Sequence, residues 1–367
     1  WLNDRAPPAV AIDVPTGLHS DTGAVLGTAV RAEHTVTMAA PKVGLHVGEG
    51  PSRAGTVSVV DIGIPAFVLD RAARKPGCAR PTTDAAVRAW WPARPDDAYK
   101  YSVGTAMVVG GSRRFVGAPT MASQAAVRSG AGYVTCACPE PVQSTLAGAL
   151  PAVPTLPLPS VDGGVAPDAV DVLAEERADA LLVGPGLGRA APTRRFVLRL
   201  LETLDRPTVI DADGLNALAD AEGDWPARVD QPVILTPHAG EFRRLAGEGD
   251  LTDRVRVTQE YARRWGVVLL LKGQPSVVAG PEGRTYVGST GTPALATAGT
   301  GDVLAGQCVG LLAQGLDPLE AAAAALHLGG AAARRYASTR DARTLAAPDL
   351  VDELPRATRE RLGRPSH

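Results

Sequence analysis

Four short runs in this chain set acidic, basic or imidazole groups beside glycine, the pattern of a site that handles phosphate. The sharpest is Gly299-Thr300-Gly301-Asp302, followed by Val303, Leu304, Gly306 and an apolar helical stretch to Leu312. Glycines ahead of a helix let the backbone turn tightly, so free N–H groups point at an incoming anion. Asp302 opens that helix, where a carboxylate is stable, and could take a proton from a hydroxyl attacking a terminal phosphate. The plainer alternative is a glycine turn with Asp302 as a helix cap.

Lys272-Gly273-Gln274-Pro275-Ser276 follows an apolar run. Lysine is scarce, confined to Lys42, Lys75, Lys100 and Lys272. A compact ammonium directly after a strand suits phosphate; a lysine snorkelling from a strand end is the alternative. His238, in Pro237-His238-Ala239-Gly240-Glu241, is either a structural histidine or a group at a strand's carboxyl end. Gly184-Pro185-Gly186-Leu187-Gly188 permits close backbone approach, and Asp211, Asp213 and Asn216 either cap a helix or face a ligand. No G-x-x-x-x-G-K-[ST] loop, H-E-x-x-H helix, G-x-S-x-G elbow or convincing dinucleotide fingerprint is present.

These residues need strands to hold them. Apolar runs at Thr105 to Val109, Tyr133 to Cys138, Ala180 to Val183, Thr208 to Ile210, Val233 to Leu235 and Val267 to Leu271 alternate with helical patterns, one from Ala118 to Ser129. That alternation predicts a doubly wound, parallel α/β sheet. Five of the runs end in the glycine, proline, aspartate, histidine or lysine groups above, and such sheets bind ligands beyond the strands' carboxyl ends.

Upstream, Ala9 to Val14, His34 to Met38 and Thr56 to Ile64 read as strands with little helix between them, too few to close a domain. Residues 1–70 are therefore expected to be the end of a domain whose beginning is absent. Arg71, Arg74, Lys75, Pro76, Gly77, Arg80 and Pro81 mark a linker over 71–97, with a short helix from Thr83 to Trp91, and 98–367 form the larger domain.

The chain has 367 residues with 45% hydrophobic and 21% charged, a globular composition rather than a disordered one. A net charge of −2 gives no broad basic footprint for nucleic acid, and no apolar run reaches the ~18–20 residues of a membrane span. Cys78, Cys136, Cys138 and Cys308 are unframed, which fits a reducing cytoplasm; Cys136 and Cys138 have the spacing of one strand face and read as packing.

The order of Lys100-Tyr101-Ser102, Gly110-Gly111-Ser112, Gly117-Ala118, Gly184 to Gly188, Asp211-Ala212-Asp213, Pro237-His238, Lys272-Gly273 and Gly299 to Asp302 resembles the ADP/ATP-dependent NAD(P)H-hydrate dehydratases, from about Pro81 onward. The resemblance implies a ribokinase-like fold and a carbon–oxygen lyase that repairs nicotinamide nucleotides. Ala118, Gly186, His238 and Asp302 would line the hydrated nucleotide, NADHX or NADPHX, with Asp302 the base. Lys272, Gly273, Gln274, Pro275, Ser276 and Gly301 would bind ADP or ATP with Mg2+. It also leaves room for a homo-oligomer, an arrangement common in the family. A small-molecule kinase of the same fold, or a nucleotide-binding module without turnover, are the rival readings.

Asp13-Val14-Pro15-Thr16-Gly17, Asp21-Thr22-Gly23, Ala40-Pro41-Lys42 and Asp61 to Pro65 are similar to the end of a Rossmann-like α/β NAD(P)H-hydrate epimerase domain. There Asp13 would contact substrate and Thr16 would help hold K+. The family's earlier asparagine-rich motif is missing, so epimerisation by this chain alone is not expected.

Overall fold

The computed structural model describes residues 2–4, 8–73, 75–221, 225–247 and 249–363; Trp1 and Arg74 lie outside them. Val10–Ile12 (β1), His34–Met38 (β2) and Thr56–Val60 (β3) form a parallel sheet in the order β1-β2-β3. Two of these strands are shorter than their apolar runs. Asp13 adopts φ 69°, which turns the chain out of β1, and Gly63 and Pro65 follow β3. Leu18, Ala29, Leu45 and Ala54 pack together beneath this sheet, whereas Val10 and Ile12 stand 63% and 75% exposed. Three strands bury one face only.

The second sheet has ten strands. They are Arg80–Pro81 (β4), Thr105–Val109 (β5), Tyr133–Pro139 (β6), Thr155–Leu158 (β7), Ala180–Val183 (β10), Thr208–Ile210 (β11), Val233–Leu235 (β12), Val268–Leu271 (β13), Val277–Ala279 (β14) and Thr285–Val287 (β15); Ser160–Val161 (β8) and Gly164–Val165 (β9) form a separate hairpin. The order is β4-β15-β14-β13-β12-β11-β10-β5-β6-β7, and only β14 runs against the rest. The parallel expectation therefore holds for β5, β6, β7, β10, β11, β12 and β13, with a reversed strand inserted near one edge.

Period-two alternation places Leu182, Val108 and Cys136 on one face of the sheet and Leu181, Val109 and Ala137 on the other. Cys136 and Cys138 share the first of these cores, as packing residues. Helices cover both faces, which explains why the strands read as unbroken apolar runs. Chain order diverges between β5 and β10, where an open α/β sheet has its crevice.

The helix Thr300–Leu312 lies against the helix Gly117–Arg128 at very short range. A Cβ on Gly306 would come within 2.2 Å of the Ala122 carbonyl oxygen, and one on Gly310 within 2.7 Å of that of Ala126. These two glycines set how far the Asp302 helix sinks toward the sheet.

Parts of the 71–97 stretch are built into this body. β4 pairs with β15, and Asp84, in the helix Asp84–Trp90, meets buried His327 at 2.6 Å. Val43 and Val47 of the upstream segment pack on Val255, Val277 and Val287.

Gly306→Val should force the two helices apart. A loss of ~1–3 kcal/mol or more is expected, read as a lower denaturation midpoint, whereas the same change at Gly163, whose added Cβ meets no atom within 4 Å, tests only its φ of 77°.

Candidate active site

Three neighbouring strands deliver the charged centre. Asp211 directly follows β11, β12 runs into His238 through Thr236 and Pro237, and Lys272 directly follows β13. Parallel pairing continues past the strand ends: Lys272 N–H donates to the Pro237 carbonyl at 2.8 Å, and His238 pairs with Lys272 as an isolated bridge. The Lys272 ammonium turns inward to Asp211 Oδ1 at 2.8 Å and lies 3.9 Å from Glu241 Oε2. It does not snorkel. Burial alone would push this ammonium down, but Asp211, Glu241 and Asp302 hold it above its ordinary value.

Asp302 sits in the first turn of Thr300–Leu312. The cap residue is Gly299, at φ 89°, and no side chain caps this end. The Asp302 side chain makes no hydrogen bond among the described residues, so the capping alternative does not describe it. The first N–H groups of such a helix lack intrahelical acceptors, leaving a turn of free donors around Gly301. A Cβ on Gly301 would stand 3.4 Å from Lys272 Nζ and 4.0 Å from Asp211 Oδ2, so the glycine lets the backbone approach the ion pair. Burial, then the negative charge of Asp211, lift the Asp302 carboxyl to about 7; Asp213 and Glu241 add to this and Lys272 opposes it. Burial likewise raises Glu241, against the pull of Lys272.

His238 caps the helix Ala239–Ala246. Its Nδ1 accepts from Gly240 N–H at 3.0 Å and Glu241 N–H at 3.2 Å, while Glu241 Oε2 accepts from His238 N–H at 2.9 Å. The structural reading of His238 is thus correct for Nδ1, and Nε2 lies 3.4 Å from Glu241 Oε1 on a side chain that is 57% exposed. The capping reading does not describe the aspartates, since no side chain caps the helix Asp213–Ala219. Asp211 faces Lys272, whereas Asp213 accepts from Gly188 N–H at 2.8 Å and from Asn216 Nδ2 at 3.1 Å. That bond ties the Gly184 to Gly188 loop to the site. Gly186 adopts φ 68°, and a Cβ there would meet Ala118 at 3.4 Å, which sets these two predicted residues side by side. Ala212, at φ 49°, is a non-glycine in the left-handed half of the map, a strain that accompanies functional loops.

The Lys272–Ser276 turn is pinned from within and from outside. Gly273 N–H donates to Ser276 Oγ at 3.1 Å and the Ser276 hydroxyl donates to the Gly273 carbonyl at 3.0 Å; the Gln274–Pro275 peptide is cis. Arg254 donates to the carbonyls of Lys272 at 3.1 Å and Pro275 at 3.2 Å. Beside the turn opens a cavity of about 360 Å³, with Lys272, Gly301 and Thr300 at its wall and Leu295, Leu304 and Leu326 among its apolar lining. Lys272, Gly273, Gln274, Ser276 and Gly301 all reach this cavity; Pro275 does not line it. Arg254, Glu241 as an ion-pair partner and Gln307 in the cavity wall escaped the sequence reading. Nothing in their spacing signals them, because each acts across a fold contact.

Far from this centre, Asp13 Oδ1 meets Lys42 Nζ at 2.5 Å and accepts from Thr37 and from Met38 N–H, both at 3.1 Å. The hydrogen bond from Lys42 holds the Asp13 carboxyl below its ordinary value. Thr16 is exposed nearby in sequence. Among the described residues no group of three or more His, Cys, Asp or Glu side chains could hold a metal ion, and no helix is long and apolar enough to cross a membrane.

A family model described as NAD(P)H-hydrate dehydratase matches residues 106–356, and one described as YjeF-related protein N-terminus matches residues 1–44. The chain is 70% identical over 368 residues to the bifunctional NAD(P)H-hydrate repair enzyme Nnr of Salinibacter ruber, covering 99% of this chain and 68% of that protein. Identity to the same-named enzyme of Moorella thermoacetica is 42%, over 96% of this chain and 67% of that one. Among solved structures, the ADP/ATP-dependent NAD(P)H-hydrate dehydratase from Bacillus subtilis, co-crystallized with ATP/Mg2+, is 33% identical with a TM-score of 0.68, covering 77% of this chain and 99% of that one. A ribokinase-like superfamily protein from Enterococcus faecalis is 25% identical with a TM-score of 0.66, over 77% and 96% of the two chains. The fold, the site and these matches lead to one statement: the chain belongs to the NAD(P)H-hydrate dehydratase family, on a ribokinase-like α/β fold with a YjeF-type N-terminal fragment.

Proposed function

We propose that the site repairs hydrated NAD(P)H with an adenine nucleotide as phosphoryl donor. The hydrate carries a hydroxyl on its reduced nicotinamide ring, and hydroxide is a poor leaving group. Asp302 takes the hydroxyl proton while the oxygen attacks the terminal phosphoryl of ADP or ATP, releasing AMP or ADP. The ring nitrogen's lone pair then expels phosphate, a neighbouring ring proton leaves, and the double bond of NAD(P)H returns.

One observation carries the reading. The Asp302 carboxyl, without a hydrogen bond among the described residues and lifted to about 7, feels the charge of Lys272 and follows Gly301, and both of those residues line the cavity. A general base works best when its proton affinity lies near the working pH. Lys272 and the Gly299–Gly301 amides supply positive potential where phosphoryl charge gathers. Ala118, Gly186 and His238 form the hydrate's side of the site, and Lys272 to Ser276 with Gly301 the nucleotide's side.

A magnesium ion would arrive with the nucleotide and keep most of its phosphate and water ligands, so the site would not need a three-carboxylate cluster, and none occurs among the described residues. The ion would supply positive charge against the phosphates. In the upstream unit, Asp13 and Thr16 are assigned to the remnant of an epimerase site over 1–70, with potassium at Thr16 only in a complete domain. Work on NADHX and NADPHX in a cytoplasmic setting, without nucleic acid or membrane and with assembly into a homo-oligomer, belongs to the same proposal.

The direct assay adds ADP, then ATP, to NADHX with purified protein and follows dihydronicotinamide absorbance. Recovery is expected; no recovery with either nucleotide, together with phosphorylation of a vitamin precursor, would favour a kinase. Asp302→Asn should abolish turnover while nucleotide still binds, as a titration can check.

The Asp302 proton also predicts a pH dependence. The folded protein holds it up to about 7, while the unfolded chain releases it near the ordinary 3.8. Its contribution to stability is complete below that ordinary value and is lost as pH rises through about 7. The nucleotide-free wild type should therefore lose Tm relative to Asp302→Asn across this window. In the free enzyme, kcat/KM should climb through the same region, and Asp211→Asn should move that limb to lower pH by removing a neighbouring negative charge.

A further inference from the structure

Gln307 stands where an amide is costly. It belongs to the helix Thr300–Leu312, is 2% exposed, and is flanked in sequence by Gly306 and Cys308, both buried. Its side-chain Nε2 has no hydrogen-bond partner, and no other hydrogen bond to this side chain occurs among the described residues. An unpaired buried amide weakens the folded state by more than an apolar residue of its shape would. Such a group is retained at a loss to stability unless something else completes it.

The cavity beside the Lys272 turn is where that partner would come from. Thr300, Leu304 and Gln307 follow at i, i+4 and i+7, so they form one stripe of the helix, and all three line the cavity. Thr300 lies at the phosphate end, and Gln307 lies roughly 10 Å further along the helix axis at 1.5 Å per residue. Leu326 and the glycines Gly329 and Gly330 line the same cavity. A Cβ on Gly329 would come within 3.0 Å of Gln307 Nε2, so glycine at that position leaves space for the amide. Among the residues that line the cavity, Gln307 brings an amide whose nitrogen has no partner. Its last torsion is broad and two-fold, so either the oxygen or the nitrogen can turn to the cavity.

Resting on the dehydratase reading, we propose that Gln307 is the base-reading residue of the nucleotide subsite and selects adenine over guanine. An amide presents a donor and an acceptor side by side. Adenine offers the complement, an amine next to a ring nitrogen acceptor, and glutamine pairs with it in two bonds. Guanine offers a carbonyl in place of that amine, so one of the two bonds is lost and two acceptors face each other.

The test compares wild type with Gln307→Leu, and with Gln307→Met as the unbranched variant should leucine fail to fold. Binding of ADP and of GDP, each with magnesium, is measured by calorimetry, and Tm is measured without nucleotide. The expected result is opposite in sign for the two readouts. Removing the unpaired amide leaves the nucleotide-free Tm unchanged or higher, while the dissociation constant for ADP rises about tenfold with that for GDP little changed, the scale of one base-edge pair. A purely structural glutamine would lower Tm and leave the ADP-to-GDP ratio alone, and a variant of wild-type Tm with that ratio unchanged also overturns the inference. Wild-type protein that binds neither nucleotide would sink the dehydratase reading along with it. Wild-type binding of ADP with unaltered selectivity in the variants sinks this inference only.

Discussion

The Lys272 ammonium, turned inward between Asp211 and Glu241, is the contact on which the site depends. A cation in that position must be matched, because burial without partners would drive it to lose its proton. Asp211 at 2.8 Å and Glu241 at 3.9 Å supply the match. They come from the ends of β11 and from the helix after β12, so the ion pair also ties three strand ends together. The surplus negative charge then falls on Asp302. Burial first, and then the carboxylates Asp211, Asp213 and Glu241, make a further negative charge expensive, and Asp302 keeps its proton up to about 7.

The same charge balance explains why glycine recurs around this centre. A side chain at Gly301 would stand against Lys272 Nζ, and one at Gly184 would meet the Asp211 carbonyl oxygen at 1.8 Å. Backbone, not side chain, has to occupy these positions so that amide donors face the ligand. Ala212 accepts a strained φ of 49° for a related reason. It separates Asp211, which serves Lys272, from Asp213, which holds the Gly184 to Gly188 loop.

The upstream unit obeys a different constraint. Three parallel strands can bury one face, and here Leu18, Leu45 and Ala54 lie beneath that face while Val10 and Ile12 remain exposed. Its Asp13–Lys42 pair is local to the strand ends of β1 and β2 and shares nothing with the Lys272 centre. The valines that attach it to the larger body touch β14 and β15, on the side of the sheet away from the switch between β5 and β10.

Much of this was legible in the chain itself. Strand positions followed from apolar runs, and the rule that ligands sit beyond carboxyl ends selected Asp211, His238, Lys272 and the glycine loops, since both depend only on local chemistry and chain direction. Other features depended on which distant segments meet. The reversed strand β14, the use of Arg80–Pro81 as an edge strand and the single uncovered face upstream are matters of pairing, which short sequence windows do not encode. The double duty of His238 as cap and neighbour of Glu241, the pinning of the Lys272 turn by Arg254 and the unpaired amide of Gln307 likewise exist only once the helices are docked. Sequence determined what chemistry each strand end carries; packing alone decided which of those groups share a charge, because proton affinity is set by burial and by neighbours brought from far along the chain.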